Sequence, residues 1–514
     1  MFRSILLEFF PPSILLNDWY SQVFMDPLRI LFVSPEVVPF AKTGGLADVA
    51  GSLPKALKAL DCDIRLVMPL YQAVRQGKFP IKKVLENLPI PLGSRQIPSD
   101  IYQGELDKSL PVYFIERDEF YDRPNLYGSA RGDYIDNDSR FTFFARGTLT
   151  TAKALGFQPD IIHCHDWQTG LIPACLHFER GTAPFYHNAA SIFTIHNMAY
   201  QGIFPKEIVE LAGLPGESFS PSGLEFWGKA NLLKAGIVYS QIINTVSRKY
   251  SREIQTAEYG YGLEGILSDR KDDLFGIVNG VDYELWNPEN DSYLAAHYNR
   301  QDLSGKKTCK KDLLNEFNLS RDRLKYPVLG VISRLADQKG FDLLAGIMDR
   351  LLEKEVSLVV LGTGEEKYHR LFAQLAEKYP KKLGVRLSFD NALAHKIEAG
   401  SDMFLMPSLY EPCGLNQIYS LKYGTIPVVR ATGGLDDTII SFDPKTGKGT
   451  GFKFALYQTE ALWSALEEAL GVYQNQIQWV RLMENAMAMN FSWETSAREY
   501  IKLYQMARDR LRGL

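Results

Sequence analysis

Leu28-Arg29-Ile30-Leu31-Phe32-Val33-Ser34, followed by Lys42-Thr43-Gly44-Gly45-Leu46-Ala47-Asp48-Val49, decides how this chain reads. The first run is short and apolar, the length of one β-strand. Past the second, apolar residues recur at helical spacing: Leu46, Val49, Ala50, Leu53, Leu57 and Leu60. A lysine and two glycines therefore lie where a strand gives way to a helix. Gly44 and Gly45 permit a tight turn, and a helix start offers unpaired N–H groups with partial positive charge. Lys42 adds a full charge beside them, and the set suits a phosphate or a diphosphate. A glycine pair alone is most often a plain strand-to-helix turn; Lys42 before it and Asp48 after it favour the anion site. The spacing is neither G-x-G-x-x-G nor G-x-x-x-x-G-K-[ST], so it carries neither a dinucleotide fingerprint nor a Walker loop.

The same alternation fills most of the chain. Ile64–Met68, Val112–Ile115, Ile161–Cys164, Ile192–Ile195, Ile242–Val246 and Phe275–Val278 read as strands of a first half. Val328–Ile332, Ser357–Leu361, Val385–Phe389, Met403–Met406 and Ile426–Val429 read as strands of a second. Strands alternating with amphipathic stretches build parallel sheets with helices on both faces. The expected class is α/β, with two doubly wound Rossmann-like domains.

A length of 514 residues exceeds one core. The break falls near 287–310, where Asn287-Pro288-Glu289-Asn290-Asp291 opens a polar region that runs through Gln301–Lys307 without a strand. The expected divisions are 25–290, 291–490 and a final helix over 491–514. That helix starts after Ser492 as N-cap, with Trp493, Ala497, Tyr500, Ile501 and Tyr504 on a packed face. Two such domains place the carboxyl ends of both sheets around one deep cleft, where α/β proteins bind ligands. Residues 1–24 stand apart. Ser4–Pro12 is apolar but broken by Glu8 and two prolines, too short for a membrane span and lacking a signal-peptide pattern. This leader is expected to be non-essential, with Met25 just before the first strand.

Apolar residues at 46% and charged residues at 23% are ordinary for a soluble globular chain. A net charge of −4 leaves no basic excess for neutralising phosphates, so nucleic acid is not the expected partner; a neutral polymer is compatible. No run of 18 apolar residues suggests a membrane. Cys62, Cys164, Cys175, Cys309 and Cys413 are scattered and odd in number, with no C-x-x-C pair. Neither a disulfide framework nor structural zinc is expected, and a reducing cytoplasm is favoured. His163 and His165 share a strand face and could touch one ion, yet no further ligand pattern accompanies them, so no metal is expected.

In the second half, Ser333-Arg334-Leu335-Ala336-Asp337-Gln338-Lys339-Gly340 follows a strand and precedes a helix near Phe341. Arg334 and Lys339 can converge on a diphosphate, the first bidentately and the second as a point charge. A solvated loop is the alternative; the position directly after a buried-looking strand decides against it. Pro407-Ser408-Leu409-Tyr410-Glu411-Pro412-Cys413-Gly414-Leu415-Asn416-Gln417 also follows a strand and precedes a short helix ending near Tyr423. Glu411 there can bind sugar hydroxyls, while the amides of Gly414 and Leu415 face an anion. Cys413 reads as a small buried filler, since no base accompanies it. Thr432-Gly433-Gly434-Leu435 is a third glycine-rich turn. In the first half, Asp166-Trp167 and His196-Asn197 follow strands at the same crevice, as ligand groups or as satisfied structural polar residues. Asn279-Gly280-Val281-Asp282 ends the last strand.

Taken together, Lys42–Val49, His165-Asp166-Trp167, Thr194-Ile195-His196-Asn197, Asn279–Asp282, Ser333–Gly340 and Glu411–Leu415 resemble bacterial glycogen synthases and plant starch synthases. The motifs run in the same order from about residue 28 to the end. The resemblance implies a retaining GT-B glucosyltransferase that moves glucose from ADP-glucose to the non-reducing end of an α-1,4-glucan, with no further cofactor. It implies that Arg334 and Lys339 bind the diphosphate, with Lys42, Gly44, Gly45 and Asp48 facing the donor across the cleft. Glu411 would contact the transferred glucose and His196 a sugar hydroxyl. Asp166, Asn279, Cys413, Gly414 and Leu415 match further donor-site positions. The last helix would cross back to the first domain, and the location would be cytoplasmic, or plastidic in a plant or alga.

No Asp-x-Asp pair stands out as a metal site, so cations and helix amides would take a metal's role. No pair of glycosidase-like carboxylates is evident, which favours same-face attack over double displacement. Tyr419 stands where many related retaining transferases carry a second glutamate, a change that glycogen synthases share. Asn416 stands where bacterial members often have threonine. The alternatives are a UDP-glucose-dependent transferase, a sugar-nucleotide epimerase, a glucan phosphorylase and a silent glucan-binding protein. No pyridoxal-binding motif supports the phosphorylase, and retention of Lys42, Arg334, Lys339 and Glu411 argues against the silent protein.

Overall fold

The computed structural model describes residues 27–107, 109–129 and 131–513; the leader 1–24 lies outside the described residues. Strand Arg29–Val33, buried from Ile30 to Val33, lies at the centre of a nine-stranded sheet. Its order is Leu274–Gly276, Ile242–Thr245, Ala190–Ile195, Ile161–His165, Arg29–Val33, Asp63–Pro69, Leu110–Ile115, Arg95–Leu106 and Lys82–Leu92. The first seven are parallel, and the inner ones are buried over nearly their whole length, which is why they read as apolar runs. The last two are antiparallel. No strand was expected between Met68 and Val112, and the hairpin there is a correction. Much of it is exposed or half-buried, and the outermost strand carries Pro89 and Pro91, which suit an edge.

A second sheet holds six parallel strands in the order Leu383–Arg386, Ser357–Leu361, Val328–Ile332, Met403–Met406, Ile426–Arg430 and Phe452–Phe454. The polar stretch after Asn287 holds no strand among the described residues, and the helix Ser304–Glu316 begins inside it. Its charges are used for packing. Lys306 Nζ donates to the carbonyls of Ala399 and Tyr423, each at 3.0 Å, and to Thr425 Oγ1 at 2.7 Å. Asp291 accepts from Tyr423 at 2.6 Å and pairs with His395 Nδ1 at 2.7 Å.

The chain leaves the first domain and re-enters it at one place. Val281 N donates to the Phe491 carbonyl at 2.7 Å, and Ser496 Oγ donates to the Val278 carbonyl at 2.8 Å. A Cβ on Gly280 would lie 2.6 Å from the Trp493 Cα, so this crossing is too close for a side chain. Helix Trp493–Arg512 then buries Trp493, Ala497, Tyr500, Leu503, Tyr504 and Ala507 in the first domain's core, against helix Gly45–Lys58. Ser492 occupies its N-cap, but the hydroxyl meets Thr495 Oγ1 at 3.4 Å instead of a helix amide.

Candidate active site

The Lys42–Asp48 turn is built differently from its reading in the sequence. Gly44 has φ −150° and extended backbone, so the turn itself does not need glycine. A Cβ at Gly44 or Gly45 would meet nothing within 4 Å. The glycines therefore keep open space before the helix, a cradle that side chains would fill. Two of the turn's amides are already satisfied: Glu36 accepts from Thr43 N at 2.5 Å and from Gly44 N at 3.3 Å. The amides expected to be free are those of Gly45 and Leu46, which have no partner among the described residues. Lys42 Nζ donates to Asp48 Oδ1 at 2.7 Å, leaving two of its three N–H groups. Burial raises the Asp48 carboxyl above its ordinary value against the opposing pull of Lys42.

Glu36 was missed in the sequence. It is buried three residues past the first strand, accepts from Tyr127 at 2.6 Å, and its charge, after burial, helps to hold the Asp166 carboxyl up. Asp166 sits at φ +56° after strand Ile161–His165, and its Oδ1 accepts from His196 N at 2.7 Å. Burial pushes its carboxyl to about 7, with the amides of His196 and Asn197 pulling the other way. The sign of the resulting linkage is definite. The folded state holds an extra proton between the ordinary 3.8 and about 7, so the stabilisation is fully present below 3.8 and lost as pH rises through about 7. Between pH 5 and 8 this loss is on the order of 3 kcal/mol. Urea unfolding at those two pH values is expected to show Asp166→Asn losing correspondingly less than the parent; equal losses would contradict this assignment.

Three imidazoles line this wall. His163 is fixed by Tyr504 OH at 3.0 Å and Thr194 Oγ1 at 2.7 Å, so its nitrogens are already engaged. His165 Nδ1 meets His196 Nε2 at 3.0 Å, while His165 Nε2 is buried without a partner among the described residues. An orphaned buried N–H is rarer than an orphaned acceptor. His165 therefore carries its proton on Nδ1 and donates to His196, whose own proton is left on Nδ1. Burial lowers His163 and His196 to about 3, so both stay neutral near neutral pH. Among the described residues no group of three or more His, Cys, Asp or Glu side chains lies together around His163 and His165.

On the opposite domain, strand Val328–Ile332 leads to Arg334 and Lys339, and strand Met403–Met406 leads to Glu411. These strands are neighbours in the sheet, which brings Lys339 Nζ to Glu411 Oε2 at 2.6 Å. Ser408 Oγ donates to the same oxygen at 3.2 Å, and Glu411 is only 6% exposed. Arg334 is exposed and gives one bond to Gln338 Oε1, at 3.3 Å. Gly414 has φ +72°, and the amides of Gly414 and Leu415 have no partner among the described residues. The third glycine turn buttresses this loop: Gly434 N donates to the Glu411 carbonyl at 3.1 Å, and a Cβ on Gly433 would lie 1.9 Å from that oxygen. Cys413 is buried, its thiol raised by burial and held by the Asn279 backbone. Asn279 Oδ1 is a buried acceptor without a partner among the described residues.

The two walls touch. Tyr410 lies with its ring 6.3 Å from Tyr261, and its hydroxyl, raised chiefly by burial, also feels Tyr261, Tyr200 and Asn197. The Tyr419 hydroxyl is raised by burial and next by the Asp48 carboxylate across the cleft. Glu253 reaches over to accept from Gly433 N at 3.0 Å. The expected site residues thus fall into two clusters, joined through Tyr410, Tyr419 and the Asn279–Cys413 contact.

Residues 29–269 match the family model of the starch synthase catalytic domain, and residues 315–485 match glycosyl transferases group 1. The glycogen synthase of Koribacter versatilis is 48% identical over 94% of this chain and 98% of its own length. That of Moorella thermoacetica is 47% identical over 95% of this chain and 98% of its own. The catalytic domain of starch synthase IV from Arabidopsis thaliana, bound to ADP and acarbose, matches with a TM-score of 0.86 at 33% identity, over 94% of this chain and 100% of that one. Sucrose-phosphate synthase from Thermosynechococcus elongatus, at 16% identity and a TM-score of 0.58, shares the fold. Two parallel-sheet domains facing one cleft, with these matches, define a GT-B glycosyltransferase. Within that class, the chain belongs to the glycogen synthase family. No helix among the described residues is long and apolar enough to cross a membrane.

Proposed function

We propose that the enzyme transfers glucose from ADP-glucose to the non-reducing end of an α-1,4-glucan with retention of the α configuration. The observation that carries this reading is the contact between Lys339 and Glu411 at 2.6 Å, which places a cation and a carboxylate at adjoining strand ends. Lys339 Nζ keeps two N–H groups beyond that contact, enough to hold a diphosphate oxygen while Glu411 receives glucose hydroxyls. Arg334 binds the same diphosphate, and the amides of Gly414 and Leu415 add partial charge. From the other wall, Lys42 and the open Gly44/Gly45 cradle face the donor, and Asp48 steadies Lys42. His196 offers its Nδ1–H to a sugar hydroxyl, oriented by His165. Asp166 and Asn279 supply further hydroxyl contacts.

In the transfer, the bond from glucose C1 to the diphosphate oxygen breaks and a bond to the acceptor O4 forms on the same face. The acceptor's proton passes to the departing phosphate oxygen. Arg334, Lys339 and the loop amides stabilise the charge that develops there. Asp166, its carboxyl raised by burial and bonded to the His196 amide, is a holder of hydroxyls. Closure of the domains excludes water that would hydrolyse the donor. ADP and acarbose in the similar starch synthase domain support an ADP-sugar donor and an α-glucan acceptor. Glycogen incubated with ADP-glucose is expected to grow with new α-linkages, read by proton NMR. Its kcat/KM is expected at least about tenfold above that with UDP-glucose. Growth with UDP-glucose alone, or β-linkages, would refute the reading.

A further inference from the structure

Eight non-glycine residues among those described have left-handed backbone: Asp61, Lys78, Asn87, Asp107, Asp166, Trp227, Tyr261 and Asn318. Six are Asp, Asn or Lys. The other two, Trp227 at φ +52° and Tyr261 at φ +51°, are large aromatics, for which this conformation is a strained outlier. Both are also exposed, Trp227 at 87% and Tyr261 at 43%. Backbone strain and an exposed ring are two separate costs, and both fall on the same two residues. Such outliers mark functional positions.

Trp227 and Gly228 form the two-residue turn of a hairpin, between Phe226 and Lys229. A turn with both central residues at positive φ is ordinarily Asn-Gly. Here Glu225 Oε1 accepts from Gly228 N at 2.7 Å and fixes the tip. The rings of Trp227 and Phe226 lie 6.4 Å apart. Phe226 packs on Gly262, where a Cβ would come within 3.0 Å of its Cζ, and the next residue back is Tyr261. Gln201 Nε2 ties the Tyr261 carbonyl to this unit at 3.1 Å. From Tyr261 the line passes to Tyr410, one residue before Glu411. Tyr200 and Ile203, on the segment leading from His196 into this small sheet, are exposed as well.

We propose that Trp227, Phe226 and Tyr261 form a glucan-binding track that holds the acceptor chain away from its reacting end and leads it to Tyr410 at the cleft. Aromatic faces stack on the C–H faces of glucosyl rings, and a neutral polymer needs no charge partner there. This inference rests on the glucan acceptor proposed above. Only chains long enough to reach from the cleft to the hairpin tip gain from the track.

The test is Trp227→Asn, assayed with glycogen and with maltotriose as acceptors under saturating donor. Asparagine suits the turn, so the melting temperature is expected not to fall. KM for glycogen is expected to rise about fivefold or more, while KM for maltotriose stays within about twofold. Trp227→Tyr, which keeps a stacking face, is expected to hold the glycogen KM within about twofold of the parent. An unchanged glycogen KM in Trp227→Asn, or an equal rise for both acceptors, would overturn the track while leaving the acceptor reading intact. If the unaltered enzyme extends neither acceptor, the acceptor reading itself fails and the track falls with it.

Discussion

Glu411→Gln is expected to lower kcat by at least about a hundredfold while changing KM for ADP-glucose little, measured as glucose incorporation into glycogen. The carboxylate is buried, and its Oε2 accepts from both Lys339 at 2.6 Å and Ser408 at 3.2 Å. Glutamine preserves the size and one acceptor oxygen but removes the charge. Two consequences follow from that loss. Lys339 loses its counter-charge in a partly buried place, and the glucosyl ring loses an anionic contact as positive charge develops at C1. Both effects are larger in the transition state than in the bound ground state, so they act on kcat. Turnover within about threefold of the parent would remove Glu411 from the reacting centre.

The second large effect concerns the cations. Lys339→Met is expected to lower kcat/KM for ADP-glucose by about a thousandfold, and Lys42→Met by about tenfold to a hundredfold, in steady-state assays at saturating glycogen. The difference follows from environment. Lys339 is mostly buried and paired with buried Glu411, where charge is poorly screened. Lys42 is half-exposed, and its partner Asp48 shares its charge. Methionine keeps the length and apolar stem of each lysine, so the loss reports the ammonium. Near-normal kinetics in Lys339→Met would contradict its assignment to the diphosphate.

Much of the architecture was legible because buried parallel strands are continuous apolar runs, as in Arg29–Val33 and Val328–Ile332. The hairpin Lys82–Leu106 was not, because an edge strand with prolines and exposed polar residues carries no such run. Gly44 and Gly45 lie where the first strand gives way to a helix, as the sequence indicates, but they leave open space there and the extended backbone of Gly44 does not require glycine. Lys339 and Glu411 could each be assigned to a strand end. Their contact could not, since it joins positions 72 apart through the neighbouring of two strands. Glu36 gave no signal beyond its place after the first strand. Its role comes from reaching forward to Thr43 and Gly44, and across to Tyr127, 91 positions away. The Val281–Phe491 crossing is of the same kind, a pairing of distant segments that no local pattern encodes.

The central claim is that cations from both domains act on one diphosphate, and a double-mutant cycle between Lys42 and Lys339 tests it most directly. The cycle compares kcat/KM for ADP-glucose in the parent, Lys42→Met, Lys339→Met and the double variant. Two charges on one leaving group are coupled, so the double variant is expected to fall short of the product of the single losses by about fivefold or more. Losses that multiply independently would mean that the two lysines serve separate sites, contrary to this account.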